Sequence, residues 1–258
     1  MTYCVGVALE QGLVLMSDTR TNAGVDDVAM FNKMFVWEHP GERCIVILTA
    51  GNLAISQAVI NVLDEGLPGE DGTRETLLTV PSMFQAARLV GRAVRSVYAE
   101  HGEAMRRQEA GFNVSLLLGG QLNGRTLRLF QVYSAGNFIE TMPETPFLQI
   151  GEHKYGKPIL DRTLRYNSSL EEAVKACLVS MDSTLKSNLS VGMPIDIAVL
   201  PRDTCRLSVR RRIGEDDAYF RALRERWSQA LRDAFHAVDL PDWIGAVKQP
   251  ARRRKGGG

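Results

Sequence analysis

The chain opens directly on a segment with the alternation of a β-strand, and this segment starts at residue 2. In "TYCVGVAL" every second side chain over Tyr3–Leu9 is large and apolar, whereas the side chains between them are small. A chain terminus is ordered only when it is tied into such an element. We therefore expect Thr2 to be held at the start of a strand. A turn at Glu10–Gly12 leads to a second strand, "GLVLMSDTRT".

The rest of the chain alternates blocks of strands with blocks of helices. A third strand, "NKMFVWEHP", precedes "CIVILTAG", whose unbroken apolar run is typical of a strand that is buried on both faces. Helical spacing follows Gly51 and again follows Pro81. Further strands are predicted in "FNVSLLLGG", "TLRLFQVY", "NFIET" and "FLQIG". A helix over Ser169–Leu185 then precedes the closing strands "IDIAVL" and "CRLSVRRR". Such blocks favour an α+β fold built from packed layers.

The last segment of the chain has a different pattern. Over Asp216–Val238, large apolar side chains recur at intervals of three and four between arginines, which predicts one long amphipathic helix. The basic segment "KQPARRRKGGG" follows it. We therefore divide the chain into a layered domain over residues 1–212 and a helical extension with a basic tail over 213–258. The apolar stripe of the extension packs either on its own subunit or on a neighbouring subunit, and the sequence leaves both alternatives open.

The composition argues against several functional classes. The formal net charge is +1 over 258 residues, so no excess of basic charge indicates nucleic acid as a partner. The four cysteines show no close spacing, so we predict neither a metal site nor a bound cofactor. The N-terminus has no basic segment before an apolar one, and no apolar run is long enough to cross a bilayer. We therefore expect a cytoplasmic protein without a membrane partner.

Residues near the predicted strand ends suggest hydrolytic chemistry. Removal of Met1 before a threonine is routine processing, and it leaves Thr2 with a free α-amine whose ordinary pKa is about 7.7 to 8.0. Such an amine can act as general base for the hydroxyl of the same residue. If the first three strands pair in sequence, Asp18 and Lys33 come to lie beside Thr2. Gly51, at a strand-to-helix turn, offers a backbone N–H to a developing oxyanion.

These segments together resemble a known family. Thr2 at the head of a strand, "SDTRTNAG", the lysine in "FNKMFVW" and "TAGNLA" resemble the proteasome beta-subunit family of N-terminal-nucleophile hydrolases. Within that family, "SMDSTLKSNLSVGMPIDIAVL" and the long C-terminal helix are most similar to the Anbu branch, the bacterial ancestral beta subunits. The resemblance implies an α+β fold, a four-layer αββα sandwich with a C-terminal helical extension.

The resemblance also implies a role for each matching residue. Thr2 corresponds to the nucleophile, and its amine corresponds to the general base. Lys33 and Asp18 correspond to the supporting ion pair, and the amide of Gly51 corresponds to the oxyanion donor. Asp182 is similar to the family's additional aspartate behind the terminal amine. The residues that match the family's substrate pocket are Thr21, Thr49 and Leu53.

The chain departs from the family pattern near the terminal amine. Glu152 follows Gly151 in "QIGEHKYG", where the family has a serine. The stretch from Asp182 reads "DSTLKSNLSVG" instead of the family's DxxSG. The sequence does not decide which residue takes the place of the family's second serine, and the candidates are Ser183, Ser187 and Ser190.

Three functions from different classes stay open at this point. The first is threonine-type hydrolysis of peptide or amide bonds in a homo-oligomeric ring or open ring-like assembly, with any ATPase partner unknown. The second is a structural ring subunit with little activity, which a retained Met1 favours. The third is an amidase of the same fold that acts on a small metabolite. Cys4 is a weak alternative nucleophile, because it is not terminal and its side chain belongs to a strand face.

Overall fold

The computed structural model describes residues 2–22, 28–69, 72–107 and 111–246. Met1 and the basic segment "KQPARRRKGGG", on which two of the predictions fall, lie outside the described residues. The described strands are β1 (Tyr3–Leu9), β2 (Gly12–Asp18), β3 (Arg20–Asn22), β4 (Val28–Met30), β5 (Met34–His39), β6 (Arg43–Gly51), β7 (Leu67–Pro68), β8 (Arg74–Glu75), β9 (Val114–Leu122), β10 (Arg128–Val132), β11 (Phe138–Glu140), β12 (Phe147–Gly151), β13 (Ile195–Pro201) and β14 (Val209–Ile213). The described helices are α1 (Leu53–Glu65), α2 (Met83–Arg107), α3 (Lys157–Thr163), α4 (Leu170–Ser187) and α5 (Ala218–Ala237), followed by a 3₁₀ turn at Asp242–Ala246.

Most strands belong to two antiparallel sheets of five strands each. Sheet I has the order β12-β1-β2-β13-β14, and sheet II has the order β11-β10-β9-β6-β5. The remaining strands form two short ribbons, β3 with β4 and β7 with β8. The first two strands of the chain therefore lie at the centre of sheet I, whereas the third and fourth predicted strands belong to sheet II.

The two sheets pack face to face, and helices cover their outer faces. Side chains such as Leu15 of sheet I and Leu48 of sheet II fill the space between the sheets. Helices α1 and α2 pack on the outer face of sheet II, and α3 and α4 pack on the outer face of sheet I. Each fully buried aliphatic side chain in these layers contributes about 1.5–3 kcal/mol. The predicted α+β fold, a four-layer αββα sandwich, is confirmed.

The packing of strand β6 explains why its sequence is apolar without alternation. Ile45 and Ile47 point toward α1 and α2, whereas Cys44, Val46 and Leu48 point toward sheet I. Both faces of the strand are therefore buried, as the apolar run predicted.

The second predicted strand is shorter than expected. It ends at Asp18, and the chain continues as β3, which pairs with β4 in a separate ribbon. The break coincides with Thr19, whose hydroxyl donates to the carbonyl of Pro194 at 2.7 Å. This turn separates Asp18, which remains in sheet I, from Thr21, which lies in the ribbon.

Two other elements differ from the sequence prediction. Helix α3 was not predicted, because its seven residues are too short to show a period and bury only Leu160. The last strand begins at Val209 rather than at Cys205, because Asp203 and Cys205 take positive φ angles of 62° and 46° in the turn before it. Extended pairing is not possible in that conformation.

The C-terminal helix α5 is divided between two environments. Phe220 is 2% exposed and belongs to the core beside α4, as does Ile213 of the preceding strand. Farther along the helix, Leu231, Phe235 and Val238 are 50%, 76% and 72% exposed. The N-terminal part of the stripe thus packs on its own subunit, and the division of the chain after Arg212 stays a prediction. Within the ranges that the structure describes, none of the helices combines the length and apolarity required to span a membrane.

Candidate functional site

A buried ion pair joins the two sheets. Lys33, one residue before β5 of sheet II, donates from Nζ to Oδ1 of Asp18, the last residue of β2 in sheet I, at 2.8 Å. Lys33 is 4% exposed and Asp18 is fully buried. The two residues meet across the sandwich. The first three predicted strands therefore do not pair in sequence within one sheet, although the side chains of Asp18 and Lys33 lie together as that condition implied.

Further hydrogen bonds fix both members of this pair. The backbone N–H groups of Tyr3 and Gly192 donate to the two oxygens of Asp18 at 3.1 and 3.3 Å. Lys33 Nζ also donates to the carbonyl of Arg20 at 2.5 Å. Burial raises the pKa of the Asp18 carboxyl, and the Lys33 ammonium is the strongest influence that opposes this rise. The ionised state of the carboxylate therefore depends on the lysine.

Thr2 is held by backbone contacts on the other side. The N–H of Glu152 donates to the carbonyl of Thr2 at 2.7 Å. Gly151, with a φ of 80°, lies so close that a Cβ there would be 1.9 Å from the same carbonyl oxygen. Only glycine fits this approach. Together with the bond from Tyr3 to Asp18, these contacts fix the start of the chain beside the ion pair.

Thr2 and Lys33 open onto a shared pocket of about 410 Å³. Gly51 lines the same pocket. The three residues that the family resemblance assigned to substrate binding line it as well: Thr21, Thr49 and Leu53. Sequence reasoning did not identify the rest of the lining, which consists of Ala50, Ser56, Asn113 and Gly151. Asp18 lies behind Lys33, so the structure brings the predicted nucleophile, its lysine and the predicted pocket residues together.

The backbone at Gly51 is shaped by close contact with a neighbouring strand. Its φ is 109°, and a Cβ at this position would lie 2.3 Å from the carbonyl oxygen of Asn113. The next residue, Asn52, caps helix α1 by accepting from the N–H groups of Ala54 and Ile55 at 3.0 and 3.3 Å. The pocket wall at Gly51 is thus the junction of a strand end and a helix N-terminus, where the helix dipole favours negative charge.

The structure does not bring Asp182 to this pocket. Its side chain faces α5, where Oδ1 accepts from Nε of Arg224 at 2.5 Å. It lines a different surface pocket together with the basic side chains of Lys186, Arg221 and Arg232. Asp182 lies inside helix α4, whose adjacent residue Met181 is the one turned into the core. The side chain of Asp182 is therefore turned toward α5, and the structure does not support its predicted position behind the terminal amine.

Glu152, whose backbone N–H donates to Thr2, bonds through its side chain to the end of α4. Nδ2 of Asn188, the residue that ends α4, donates to Oε2 of Glu152 at 3.1 Å. Of the three candidate serines, Ser183 donates its hydroxyl to Val179 within α4, and Ser190 donates its backbone N–H to Asn188. Sequence reasoning noted Glu152 but missed Asn188, because no pattern indicates which loop residue turns toward another strand end.

Cys4 is unsuited to nucleophilic attack. Its side chain is fully buried between the sheets, and Sγ donates to the carbonyl of Thr49 at 3.6 Å. Burial raises the pKa of this thiol, and the nearby Asp18 carboxylate raises it further. The reactive thiolate form is therefore disfavoured.

Comparison with known proteins shows the family to which the chain belongs. The family model described as "Proteasome subunit" matches residues 83–200. A search of curated protein sequences gave no match. Among solved structures, an Anbu (Gly-1) mutant from Hyphomicrobium sp. strain MC1 is 51% identical, with a TM-score of 0.86, and the alignment covers 94% of this chain and 100% of that one.

Two further solved structures agree with this comparison. Anbu (ancestral beta-subunit) from Yersinia bercovieri is 44% identical, with a TM-score of 0.85, over 93% of this chain and 98% of that one. A structure described as a helical assembly of the Anbu complex from Pseudomonas aeruginosa is 46% identical, with a TM-score of 0.85, over the same shares of 93% and 98%. With this identity over nearly the whole length, the chain belongs to the Anbu family of proteasome-like subunits.

Proposed function

We propose that the chain is a threonine-type peptidase or amidase of the cytoplasm, whose nucleophile is the hydroxyl of Thr2 after removal of Met1. The observation that carries the proposal is the buried Lys33–Asp18 pair at the wall of the pocket that Thr2 and Gly51 share. A buried ion pair is costly to desolvate. Because the pair lies beside a threonine and an open pocket, a role in catalysis explains its burial better than a contribution to the stability of the fold does.

The proposed reaction has two steps. The α-amine of Thr2 takes the proton from its own hydroxyl, directly or through water, while the Lys33 ammonium stabilises the oxygen that becomes negative. The oxygen attacks the substrate carbonyl, and the N–H of Gly51 stabilises the oxyanion. The proton passes to the leaving amine, and an acyl ester on Thr2 remains. Water then attacks the ester and gives up a proton to the α-amine, which passes it to the oxygen of Thr2 as the ester bond breaks and the acid is released.

Intact mass spectrometry tests this proposal without a known substrate. The purified protein is measured before and after reaction with a peptidyl vinyl sulfone, an electrophile that adds to activated hydroxyl groups. We expect the mass of the chain without Met1, and one adduct per subunit that peptide mapping assigns to Thr2. Retention of Met1, or an adduct only at other residues, contradicts the proposal and favours a structural subunit.

We also propose that copies of this chain form a homo-oligomer through the outer half of α5. Leu231, Phe235 and Val238 recur at helical spacing and are exposed, and Trp243 beyond them is 77% exposed. An exposed apolar surface of this kind is typical of an interface. The relative from Pseudomonas aeruginosa, described as a helical assembly, supports a second copy as the partner.

Polar substitution on this surface is expected to reduce the size of the assembly. The variant Leu231→Ser with Phe235→Ser removes apolar area without touching the buried Phe220, so the subunit stays folded. We expect a lower particle mass by size-exclusion chromatography with light scattering, and an unchanged circular dichroism spectrum. The matched control is Gln229→Ala, which lies exposed on the same helix and should keep the parent mass. An unchanged mass in the double variant contradicts an interface at this surface.

A further inference from the structure

Glu152 occupies a special position with respect to the proposed nucleophile. Its backbone N–H donates to the carbonyl of Thr2 at 2.7 Å, so the two residues are hydrogen-bonded neighbours at the edge of sheet I. Its side chain is half-buried, and Oε2 accepts from Asn188 Nδ2 at 3.1 Å. None of the steps proposed above uses this carboxylate.

Two hydrogen bonds orient Asn188. Its backbone N–H donates to the carbonyl of Thr184 at 2.9 Å and closes helix α4. Its Oδ1 accepts the N–H of Ser190 at 2.9 Å, which leaves Nδ2 turned toward Glu152. An amide fixed at its oxygen presents a donor in a defined direction, so the carboxylate of Glu152 is held in place rather than free to move into solvent.

The loop that carries Asn188 also contacts the catalytic ion pair. The N–H of Gly192 donates to Oδ2 of Asp18 at 3.3 Å, and Nη1 of Arg20 donates to the carbonyl of Leu189 at 3.1 Å. One loop thus links the Lys33–Asp18 pair to the Asn188–Glu152 pair. The start of the chain contacts both pairs, because the carbonyl of Thr2 accepts from Glu152 and the N–H of Tyr3 donates to Asp18.

The charges around Thr2 differ on its two sides. Asp18 and Lys33 form a pair whose charges offset each other. On the other side, the carboxylate of Glu152 accepts from the neutral side chain of Asn188 and, at 3.4 Å, from the backbone N–H of Lys154, whose side chain is exposed to solvent like that of His153. The charged side chains near the end of α4 lie on another side of the helix, because Asp182 accepts from Arg224 and Lys186 lines the same surface pocket as these two residues. Among the residues that the structure describes, none forms an ion pair with Glu152, so its negative charge is not offset on this side of Thr2.

We propose that Glu152, held in place by Asn188, is a positioning residue for the α-amine of Thr2 and fixes the pH at which that amine becomes the free base. A carboxylate near an amine favours the charged ammonium form. The amine of Thr2 then loses its proton at a higher pH than it would without Glu152. The inference rests on the proposed function, because it assumes that Met1 is removed.

The test compares the pH dependence of the parent with that of Glu152→Gln. Glutamine keeps an oxygen that accepts from Asn188 but removes the charge, so the amine is expected to titrate about one pH unit lower. The acidic limb of the kcat/KM profile should move to lower pH by the same amount. Asn188→Ala should move it in the same direction by less, because the carboxylate is then no longer fixed. The matched control is Glu144→Gln at an exposed position, which should leave the profile unchanged.

A second readout does not depend on turnover. The rate at which acetic anhydride acetylates the α-amine, followed by peptide mass spectrometry across pH, reports the protonation of that amine directly. If hydrolysis is absent but the titration of the amine shifts in Glu152→Gln, the proposed function fails and this inference stands. If hydrolysis is present and the titrations of the parent and Glu152→Gln coincide, this inference alone is overturned. Retention of Met1 overturns both.

Discussion

Thr2→Ala is expected to reduce hydrolysis to the uncatalysed background, a loss on the order of a thousandfold or more, because the group that attacks the substrate is removed. Alanine is also a small residue, so Met1 is removed from the variant as from the parent and the α-amine is retained. The side chain of Thr2 makes no hydrogen bond that the described contacts include, and the fold should therefore be unaffected. Release of a fluorophore from short peptides and from small amides measures the loss for both substrate classes.

The control for this experiment is Thr2→Ser. Serine keeps the hydroxyl and is processed in the same way, so a measurable fraction of the parent rate should remain. Thermal unfolding of the two variants should coincide with that of the parent. Turnover by Thr2→Ala at the parent rate means that another group attacks the substrate, and the mechanism proposed here is then incorrect.

The sequence pattern predicted the layers of this fold because burial leaves a periodic trace. The alternation in β1 and the unbroken apolar run in β6 follow from one or two buried faces, and the structure confirms both. Patterns of this kind do not say which sheet a strand joins. Pairing of the first three strands in sequence was therefore only a condition, and it is not met, because the strand after Lys33 lies opposite β1 and β2 in sheet II.

The site could be predicted only in part, for a related reason. Thr21, Thr49 and Leu53 lie on the elements that open onto the Thr2 pocket, so a local motif was sufficient to find them. Asp182 depends on the rotation of a helix. The predicted helix ends at Leu185, whereas α4 continues to Ser187, and the residue after it, Asn188, rather than Asp182, bonds to Glu152, the neighbour of Thr2. Contacts that depend on where a helix ends are not encoded in a local pattern.

Lys33→Ala and Asp18→Ala are each expected to lower kcat/KM by about a hundredfold or more, the usual scale for loss of a partner in proton transfer or charge stabilisation. In the proposed mechanism the two residues act on Thr2 as one unit, because Asp18 accepts from the ammonium of Lys33, which lines the same pocket as Thr2. Their effects should therefore not be additive. The variant that carries both substitutions should lose little more activity than either single variant, and steady-state kinetics on one substrate measures all three.

Stability should separate the structural role of this pair from its catalytic role. Lys33→Ala leaves the fully buried carboxylate of Asp18 without its cation, a change that typically costs about 3–5 kcal/mol of unfolding free energy. Because the pKa of Asp18 then rises further above its unfolded value of about 3.9, the folded protein binds a proton that the unfolded chain has lost. The loss of stability should accordingly be larger at pH 8 than at pH 5.

Substitution of both residues removes the unpaired charge, so the double variant should be more stable than Lys33→Ala at pH 8 while remaining as inactive. Urea unfolding at the two pH values, together with the kinetics, distinguishes the alternatives. If the double variant regains activity along with stability, the pair only supports the fold and is not part of the mechanism. If the losses in kcat/KM multiply, Lys33 and Asp18 act independently and the ion pair is not the unit that assists Thr2.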